Sequence, residues 1–327
     1  MNIAVTGAGG GVGQNIIKSL ENSDYNIVAL DVDYLAAGLY LSKTAYLIPY
    51  ANKNNYIPKL LEICENENIS LLFPGLDPEL MPMSLNKHLF DKIGTKVVVS
   101  RPEAITLSHD IQLAFEYLTA FDVNVPVTFL AEKFNPNKES YPFILRQRVG
   151  GARAKNKYLI RNSIEWKKAL KKMESDISNY IIMEYIEGDE YTCGSVNLNG
   201  SCENIIIMRR ILRGGETYKC FTIKNDIIEE EVKKIVEAFK PFGAFNVELK
   251  LKNGKPYVFE VNARCSGTTA ARACSGFNEP KMIADYLLKK IEPKYFFKEQ
   301  TVLRYWKELV VDNDLITELK QQQVLKK

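Results

Sequence analysis

The sequence predicts a two-part α/β and α+β protein, in which a doubly wound parallel domain precedes a mainly antiparallel one. In the first hundred or so residues, short apolar strands alternate with amphipathic helices, which is typical of a parallel sheet. In the second half, apolar and polar residues alternate, which predicts antiparallel strands and hairpins. We therefore expect a Rossmann-like domain at 1–105, a second domain at 106–300 and a polar C-terminal tail at 301–327.

Each element follows from its own pattern. In the first domain the predicted strands are NIAVTG, IVALDV, AYLIPY, LLFPG and KVVVS, and the clearest helices cover 14–20 and 57–66. In the second domain the predicted strands include the pair YPFILRQ and NKYLIRN, then YIIMEYI, and finally NVELKLK and KPYVFEV. The predicted helices there cover 163–173, 229–239 and 280–290. Asn253-Gly254 marks a hairpin turn between the last two strands.

The composition is that of a folded protein without a nucleic-acid or membrane signature. Its 327 residues include 46% apolar and 25% charged side chains, enough to bury a substantial core. The net charge is only +3, and no Lys/Arg run is interleaved with aromatic residues, so we expect no nucleic-acid partner. No apolar run is long enough to span a bilayer.

Cysteine and histidine usage restricts the chemistry further. The six cysteines are scattered without a C-x-x-C pair, which indicates reduced thiols, and no signal-peptide pattern opens the chain. We therefore expect a cytoplasmic protein. His88 and His109 are the only histidines, too few for a His-rich zinc site or a Ser-His-Asp triad. Catalysis must then depend on carboxylates, arginines and backbone groups.

A glycine-rich loop follows the first strand and favours an alternative function. The segment TGAGGGVGQN opens a helix, where backbone amides can approach a phosphate. Gly7, Gly11 and Gly13 match the spacing of short-chain dehydrogenases, and Asp31 ends the second strand where a ribose-binding acid would lie. An NAD(P)-dependent oxidoreductase is therefore the alternative prediction.

The same alternative requires a Tyr-x-x-x-Lys pair in the same domain, because the lysine lowers the pKa of the tyrosine for proton transfer. The only such pair is Tyr286 and Lys290, near the C terminus. Tight packing of a strand against a helix explains the glycines without any nucleotide.

The most informative segment is FNVELKLKNGKPYVFEVNARCSG. Across a hairpin that turns at Asn253-Gly254, Glu248 and Glu260 can lie side by side, with Asn262 on the same face. Two carboxylates and a carboxamide oxygen suit magnesium, and Arg264 can bind a phosphate bidentately. A solvated polar strand face is the alternative. Without metal the two carboxylates would repel each other, so we expect Glu260→Gln to leave the fold intact or more stable.

The order of P-F-I-L-R, a Gly-rich loop, M-E-Y-I-E-G-D-E, N-V-E and F-E-V-N-A-R resembles the ATP-grasp superfamily, specifically single-module relatives of the carbamoyl-phosphate synthase large subunit. The resemblance covers nearly the whole chain and implies an ATP-grasp fold with a Rossmann-like pre-ATP-grasp domain. It also implies a lid at about 125–185, and ATP with magnesium or manganese as cofactors. The implied reaction is an ADP-producing ligation of a carboxylate to an amine through an acyl phosphate.

The resemblance also implies roles for individual residues. The residues expected to bind the nucleotide are Arg146 at the phosphates, Gly150, Gly151 and Arg153 in a flap over them, the backbone of Glu184 and Ile186 at adenine, and Glu190 at the ribose. The expected metal ligands are Glu248, Glu260 and Asn262, and the expected catalytic arginines are Arg264 and Arg210. A nucleotide-binding module that has lost turnover is a further alternative.

The substrate side is less sharply predicted. A single module has no room for the two phosphorylations of carbamoyl-phosphate synthase, so a carboxylate other than bicarbonate is expected. Arg209, Arg210 and Arg213 resemble arginines that bind such a carboxylate, although alternate strand residues face opposite ways. Asp77 and Glu79 follow an N-terminal strand, at the edge where open α/β sheets bind ligands. The sequence leaves a homodimer open.

Overall fold

The computed structural model describes residues 1–134, 141–150, 157–173 and 176–327. In this part of the chain the strands form one mainly parallel sheet and two antiparallel sheets, which confirms the predicted mixed α/β and α+β class. None of the helices in these ranges combines the length and apolarity that crossing a membrane would require.

The N-terminal sheet has the strand order β16-β3-β2-β1-β4-β5. Its parallel strands are Asn2–Val5 (β1), Asn26–Asp31 (β2), Thr44–Leu47 (β3), Ile69–Phe73 (β4) and Lys96–Val97 (β5). The helices of this half are Gly11–Leu20 (α1), Ala37–Leu41 (α2), Tyr56–Asn66 (α3), Asp77–Leu85 (α4), Lys87–Lys92 (α5), Pro102–His109 (α6) and Ile111–Thr119 (α7). Successive residues of β1 belong to separate apolar clusters on the two faces, Ile3 and Val5 to one and Ala4 to the other. Helices therefore cover the sheet on both sides, as a parallel sheet requires.

A small antiparallel sheet, here called the lid sheet, follows with the order β6-β9-β7-β8. Its strands are Thr128–Leu130 (β6), Phe143–Gln147 (β7), Lys157–Ile160 (β8) and Tyr180–Glu184 (β9). The helix Ser163–Met173 (α8) has the predicted bounds. It packs Trp166, Ala169 and Met173 against the strands, the spacing expected for one apolar helical face.

The central antiparallel sheet has the order β14-β13-β10-β11-β12-β15. Its strands are Asp189–Leu198 (β10), Ser201–Arg213 (β11), Glu216–Ile223 (β12), Gly243–Lys252 (β13), Lys255–Asn262 (β14) and Thr301–Leu303 (β15). The helices of this half are Asp226–Phe239 (α9), Thr269–Cys274 (α10) and Glu279–Lys289 (α11). The predicted turn is confirmed: Asn253 and Gly254 have φ values of +52° and +76°, as a type I′ hairpin requires.

The last 27 residues differ from the predicted tail. A helix, Asn313–Gln322 (α12), leads into Val324–Lys326 (β16), which pairs antiparallel with β3 at the edge of the N-terminal sheet. Leu319 and Leu325 are buried in the core beside that sheet. The prediction of a tail was wrong because these few apolar positions are scattered among polar residues and give no strong period.

The two halves are joined by polar contacts around α1. The Ala270 backbone N–H donates to Asn15 Oδ1 at 3.3 Å, and Asn278 Nδ2 donates to the Ser19 carbonyl at 2.6 Å. The Tyr25 hydroxyl donates to Asp285 at 2.7 Å. These bonds fix α10 and α11, and with them the loop that follows β14, against the N-terminal domain.

Candidate active site

The carboxylates of β13 and β14 meet because of a β-bulge. On the turn side of the bulge, the register pairs Leu249 with Val258. On its other side, the next residue of β13, Glu248, pairs with Glu260. A regular two-residue hairpin would pair Glu248 with Phe259 and turn Glu260 to the opposite face. The extra residue on β14 shifts the register by one and places the two glutamates side by side, as predicted.

Glu190 of β10 joins this cluster on the same face of the sheet. It lies opposite Lys250 on β13, while Thr192 lies opposite Glu248. We call Glu190, Glu248, Glu260 and Asn262 the acidic face. Asn262 follows Glu260 by two residues, and its Nδ2 lies 3.4 Å from Glu260 Oε1.

Two arginines neutralise the acidic face. Arg210 on β11 donates to Glu190 Oε1 at 2.6 and 3.0 Å and to Glu248 Oε1 at 2.9 Å. Arg146 on β7 donates to Glu260 Oε2 at 2.8 Å and to the Phe259 carbonyl at 3.2 Å. Both guanidinium groups are buried, with 8% and 4% of their side chains exposed. Each carboxylate therefore has a charged partner in a shielded environment.

The charges shift one another's pKa values. Burial opposes ionisation of Glu260, but Arg146, Lys157 and Arg210 together lower its pKa. Burial likewise opposes charging of Arg210, but Glu248 and Glu190 raise its pKa. Each of the two paired carboxylates therefore has its own arginine, which offsets the expected repulsion between them, and the effect of Glu260→Gln on stability stays a prediction.

Lys157 completes the cationic side and was not assigned a role from the sequence. It pairs with Arg146 across β7 and β8, and its ammonium lies 5.2 Å from the centre of the Phe259 ring. Burial, and then the charge of Arg146, lowers its pKa. The signal that could have identified it is its place at the start of NKYLIRN, opposite the arginine of P-F-I-L-R.

A cavity of about 160 Å³ opens beside this charged cluster. The residues lining it are Pro126, Ile144, Lys157, Met183, Glu184, Tyr185, Ile186, Glu190, Lys250 and Phe259. Its walls come from the lid sheet, the segment that connects it to β10, and the central sheet. Three residues predicted to bind a nucleotide, Glu184, Ile186 and Glu190, thus surround one apolar space with a polar end.

Of the predicted flap, only part can be placed. Gly150 is exposed with a φ of +76°, a conformation that favours glycine. Gly151 and Arg153 lie outside the described residues. Next to the flap, Arg148 donates to Asp110 at 2.7 to 2.9 Å, which ties β7 to the start of α7.

Arg264 and Asp77 form a bidentate pair between the two domains. Arg264 Nε and Nη2 donate to the Asp77 carboxylate at 2.7 and 2.6 Å. Nη2 also lies 3.3 Å from Asn262 Oδ1, next to the acidic face. Burial opposes both charges, yet the pair lowers the pKa of Asp77 and raises that of Arg264. The structure thus brings together a predicted substrate residue and a predicted catalytic residue.

The other predicted substrate arginines point elsewhere. Arg209 faces away from Arg210, 3.7 Å from Asp189 and with its guanidinium 4.6 Å from the centre of the Phe221 ring. Arg213 is exposed near the end of β11, over Tyr218. Arg209 and Arg210 are neighbours on β11, and neighbouring residues of a strand face opposite sides of the sheet. Neither arginine joins the acidic face, so Arg210 alone of these three arginines lies there.

Glu79, predicted as a substrate residue, lies in the interior of the N-terminal domain. It is only 3% exposed, and its carboxyl group contacts the Thr6 hydroxyl at 2.6 Å and the Tyr56 hydroxyl at 2.9 Å. It also accepts from the Gly75 and Leu76 amides at 3.2 and 3.0 Å. Burial raises the pKa of Glu79 to about 7. Glu79 therefore ties β1, α3 and the start of α4 together inside the N-terminal domain.

The glycine loop is likewise packed against residues of its own domain. Asp31 Oδ2 accepts from the Gly9 amide at 2.7 Å, and Oδ1 accepts from the Asp33 amide at 3.0 Å. A Cβ atom on Gly13 would lie 2.2 Å from the Gly7 carbonyl oxygen. This contact accounts for glycine at position 13 by close strand–helix packing. Tyr286 and Lys290 lie in and after α11, remote in sequence from this domain.

Comparison with known proteins finds two separate family matches along the chain. Residues 176–308 match the family described as ATP-grasp in the biosynthetic pathway with Ter operon, and residues 3–98 match the PylC-like N-terminal domain. The chain is 25% identical over 272 residues to D-alanine–D-alanine ligase of Petrotoga mobilis, across 76% of this chain and 80% of that protein.

Two further similarities extend the comparison. The chain is 27% identical over 196 residues to the carbamoyl phosphate synthase large chain of Thermoanaerobacter sp., across 54% of this chain but only 18% of that protein. N5-carboxyaminoimidazole synthetase from Staphylococcus aureus, solved with ADP, has a TM-score of 0.69 and 19% identity, covering 86% of this chain and 76% of that one. At that identity the structural likeness shows the fold alone.

Proposed function

We propose that this chain, which joins a PylC-like N-terminal domain to an ATP-grasp domain, is an ATP-grasp ligase that couples a carboxylate to an amine through an acyl phosphate. The observation that carries the proposal is the bulged pairing of β13 with β14. It places Glu248 and Glu260 on one face, between buried cations and beside a cavity lined by the lid and central sheets.

The cavity suits a nucleotide base and ribose. Met183, Ile144 and Phe259 supply apolar contacts for a flat ring. The Glu184 amide already donates to the Val127 carbonyl at 2.8 Å, so the Ile186 amide, which has no acceptor among the described residues, is the donor left for adenine. Glu190 lies at the polar end, where its carboxylate can accept from ribose hydroxyls.

The acidic face fits magnesium by the chemistry of its donors. Glu248, Glu260 and Asn262 offer hard oxygen atoms on adjacent strands, and magnesium in nucleotide sites takes one or two carboxylates, with phosphate oxygens and water completing the octahedron. Among the described residues no cluster of three His, Cys, Asp or Glu side chains is suited to a metal, so the set relies on the carboxamide. When bound, magnesium would offset the phosphate charge and orient the γ-phosphate.

The chain's cations then stabilise phosphoryl transfer. A carboxylate oxygen of the substrate attacks the γ-phosphorus, the bond to the bridging oxygen breaks and ADP leaves, which produces an acyl phosphate. Arg146 and Lys157 reach the phosphates from the lid sheet, while Arg210 and Arg264 flank the acidic face. Fixed cations in a shielded site stabilise the charge that develops on the transferring group.

The second half-reaction requires an amine nucleophile. The amine attacks the acyl carbon, phosphate leaves and a proton is released, so an amide forms without a protein nucleophile. The D-alanine–D-alanine ligase relative supports an amino acid as one substrate. Asp77 and Arg264, at the junction of the domains, are the groups suited to bind its charged ends.

Nucleotide binding must replace the existing ion pairs with contacts to the nucleotide and its cation. Arg146 pairs with Glu260, and Arg210 pairs with both Glu190 and Glu248. Phosphate oxygens can take over the arginine donors, and a cation can take over the carboxylates. The pairs therefore keep buried charges neutral until the nucleotide arrives.

Hydroxylamine trapping tests the proposal. Wild-type protein is incubated with ATP, magnesium and pools of carboxylic acids, amino acids included, with hydroxylamine as the nucleophile. We expect ADP and hydroxamate in equal amounts, and a loss of both by about a thousandfold in Glu260→Gln, because the metal-side charge is removed.

The matched control is Glu187→Gln, since Glu187 is exposed and follows the cavity-lining residues without belonging to the acidic face. It should retain wild-type yield. Turnover of Glu260→Gln at the wild-type rate, or ADP released without any hydroxamate from every pool, would contradict the acyl-phosphate ligase.

A further inference from the structure

A fully buried ion pair lies beside the acidic face, on the same side of the central sheet. Arg272 on α10 and Glu279 on α11 are both 0% exposed, and Arg272 Nη1 donates to Glu279 Oε1 at 2.7 Å. Glu279 Oε2 also accepts from the Thr269 hydroxyl at 2.7 Å. Arg272 Nε has no partner among the described residues. A buried ion pair with an unsatisfied donor is weak evidence for a purely stabilising role.

The other end of Arg272 reaches the strand that carries Glu248. Its Nη2 donates to the Thr192 hydroxyl at 2.9 Å and also to Asn246 Oδ1. Thr192 in turn donates to Asn246 Oδ1 at 2.9 Å. A guanidinium can only donate, so the oxygen of the Asn246 amide must face Arg272 and its nitrogen must face the other way. That nitrogen lies 3.4 Å from Glu248 Oε1.

The backbone is shaped to admit this guanidinium. A Cβ atom on Gly194 would lie 2.3 Å from Arg272 Nη1 and 2.5 Å from Glu279 Oε1. Gly194 is two residues from Thr192 on β10, so only a glycine at this position leaves room for the pair against the sheet. The sequence therefore provides both the arginine and the space for it.

We propose that Arg272 is a positioning residue for Glu248, an inference that rests on the proposed function. Arg272 and Thr192 fix the Asn246 amide, and the amide nitrogen holds the Glu248 carboxylate in the orientation that a nucleotide-bound cation requires. Among the described residues, Arg210 is the other group that hydrogen-bonds Glu248, and phosphates would draw it away when the nucleotide binds. Removing a group that orients a metal-binding carboxylate typically lowers metal affinity about 10–100-fold.

Direct cation binding tests this role. Manganese is titrated by electron paramagnetic resonance in the presence of a saturating non-hydrolysable ATP analogue. We expect Thr192→Val, which keeps the side-chain shape and removes the hydroxyl, to weaken manganese binding about tenfold. Arg272→Met should weaken it by up to about a hundredfold where it folds. Affinity for the analogue without metal should not change, because the cavity is untouched.

The matched control is Thr192→Ser, which retains the hydroxyl and should bind manganese within about twofold of wild type. Wild-type manganese affinity in Thr192→Val, or an equal loss in the serine and valine variants, would overturn the positioning role. An equal loss of metal-free analogue binding would overturn it too, because it would indicate general disruption. Failure of the wild-type protein to bind manganese with the analogue would instead refute the proposed function.

Discussion

The glycine loop of the N-terminal domain and the acidic face of the central sheet both place carboxylates beside hydrogen-bond donors, but the donors differ. Around the glycine loop, Asp31 and Glu79 meet backbone amides and hydroxyls of their own domain. On the acidic face, Glu248 and Glu260 meet the side chains of Arg210 and Arg146. Backbone donors cannot leave without breaking the fold, whereas arginines can exchange a carboxylate for a phosphate.

The difference shows how a structural cluster can be told from a binding site. Both regions contain buried charge, and the glycine loop has the better-known sequence pattern. Only the acidic face combines exchangeable partners with an adjacent cavity that is lined by two sheets. A motif whose polar groups are hydrogen-bonded by their own backbone therefore indicates packing. Oppositely charged side chains that pair beside a cavity indicate a binding site.

A further large effect is expected to differ between the two faces of β11. We predict that Arg210→Lys lowers kcat/KM for ATP about a hundredfold, because lysine keeps the charge but cannot bridge Glu190 and Glu248 with a planar fork. Arg209→Lys is the matched control, one residue away on the opposite face, and should stay within about twofold of wild type. Steady-state ADP release measures both. Equal losses in the two variants would mean that the face of the strand is irrelevant.

A smaller effect is expected in the N-terminal domain. Since burial raises the pKa of Glu79 to about 7, the folded state keeps a proton that the unfolded chain has already lost above its ordinary pKa of about 4.3. The free energy of unfolding contributed by this group is therefore highest at low pH and falls as the pH rises towards 7. The total change is at most about 4 kcal/mol, at roughly 1.4 kcal/mol per pKa unit.

Glu79→Gln should remove this pH dependence, because a carboxamide can still accept from the amides and bond to Tyr56 without titrating. Urea unfolding between about pH 4.5 and 8 measures the slope, which should be flatter in the variant than in wild type. ADP release should remain unchanged, in contrast with Glu260→Gln. An unaltered slope would show that Glu79 is ionised in the folded protein.

The sequence was sufficient for the fold class and for the grouping of Glu248, Glu260 and Asn262. The turn at Asn253-Gly254 has a clear signal, because both positions require positive φ. The bulge beyond it has none, since KPYVFEV reads as an unbroken strand whether or not one residue is extra. The prediction that Glu248 and Glu260 lie side by side was therefore right, but the bulge that brings them together is visible only in the register of β13 and β14.

Other features depended on contacts distant in sequence. Asp77 and Glu79 are two residues apart, yet one faces Arg264 in the other domain and the other is buried beneath the glycine loop. Glu79 is the third residue of α4, and its carboxylate accepts from the Leu76 amide. A local sequence pattern can predict such a helix start, but it cannot distinguish it from a ligand site. Arg272 lies in a segment of small residues, where no sequence pattern indicates its burial.

The most direct test of the account is a calorimetric titration of the wild-type protein with two ligands, NADH and the magnesium complex of a non-hydrolysable ATP analogue. The account predicts saturable one-to-one binding of the ATP analogue, abolished or strongly weakened in Glu260→Gln, and no binding of NADH at the glycine loop. Binding of NADH with none of the magnesium–ATP analogue would contradict it, because the glycine loop would then be the nucleotide site and the acidic face a solvated strand surface.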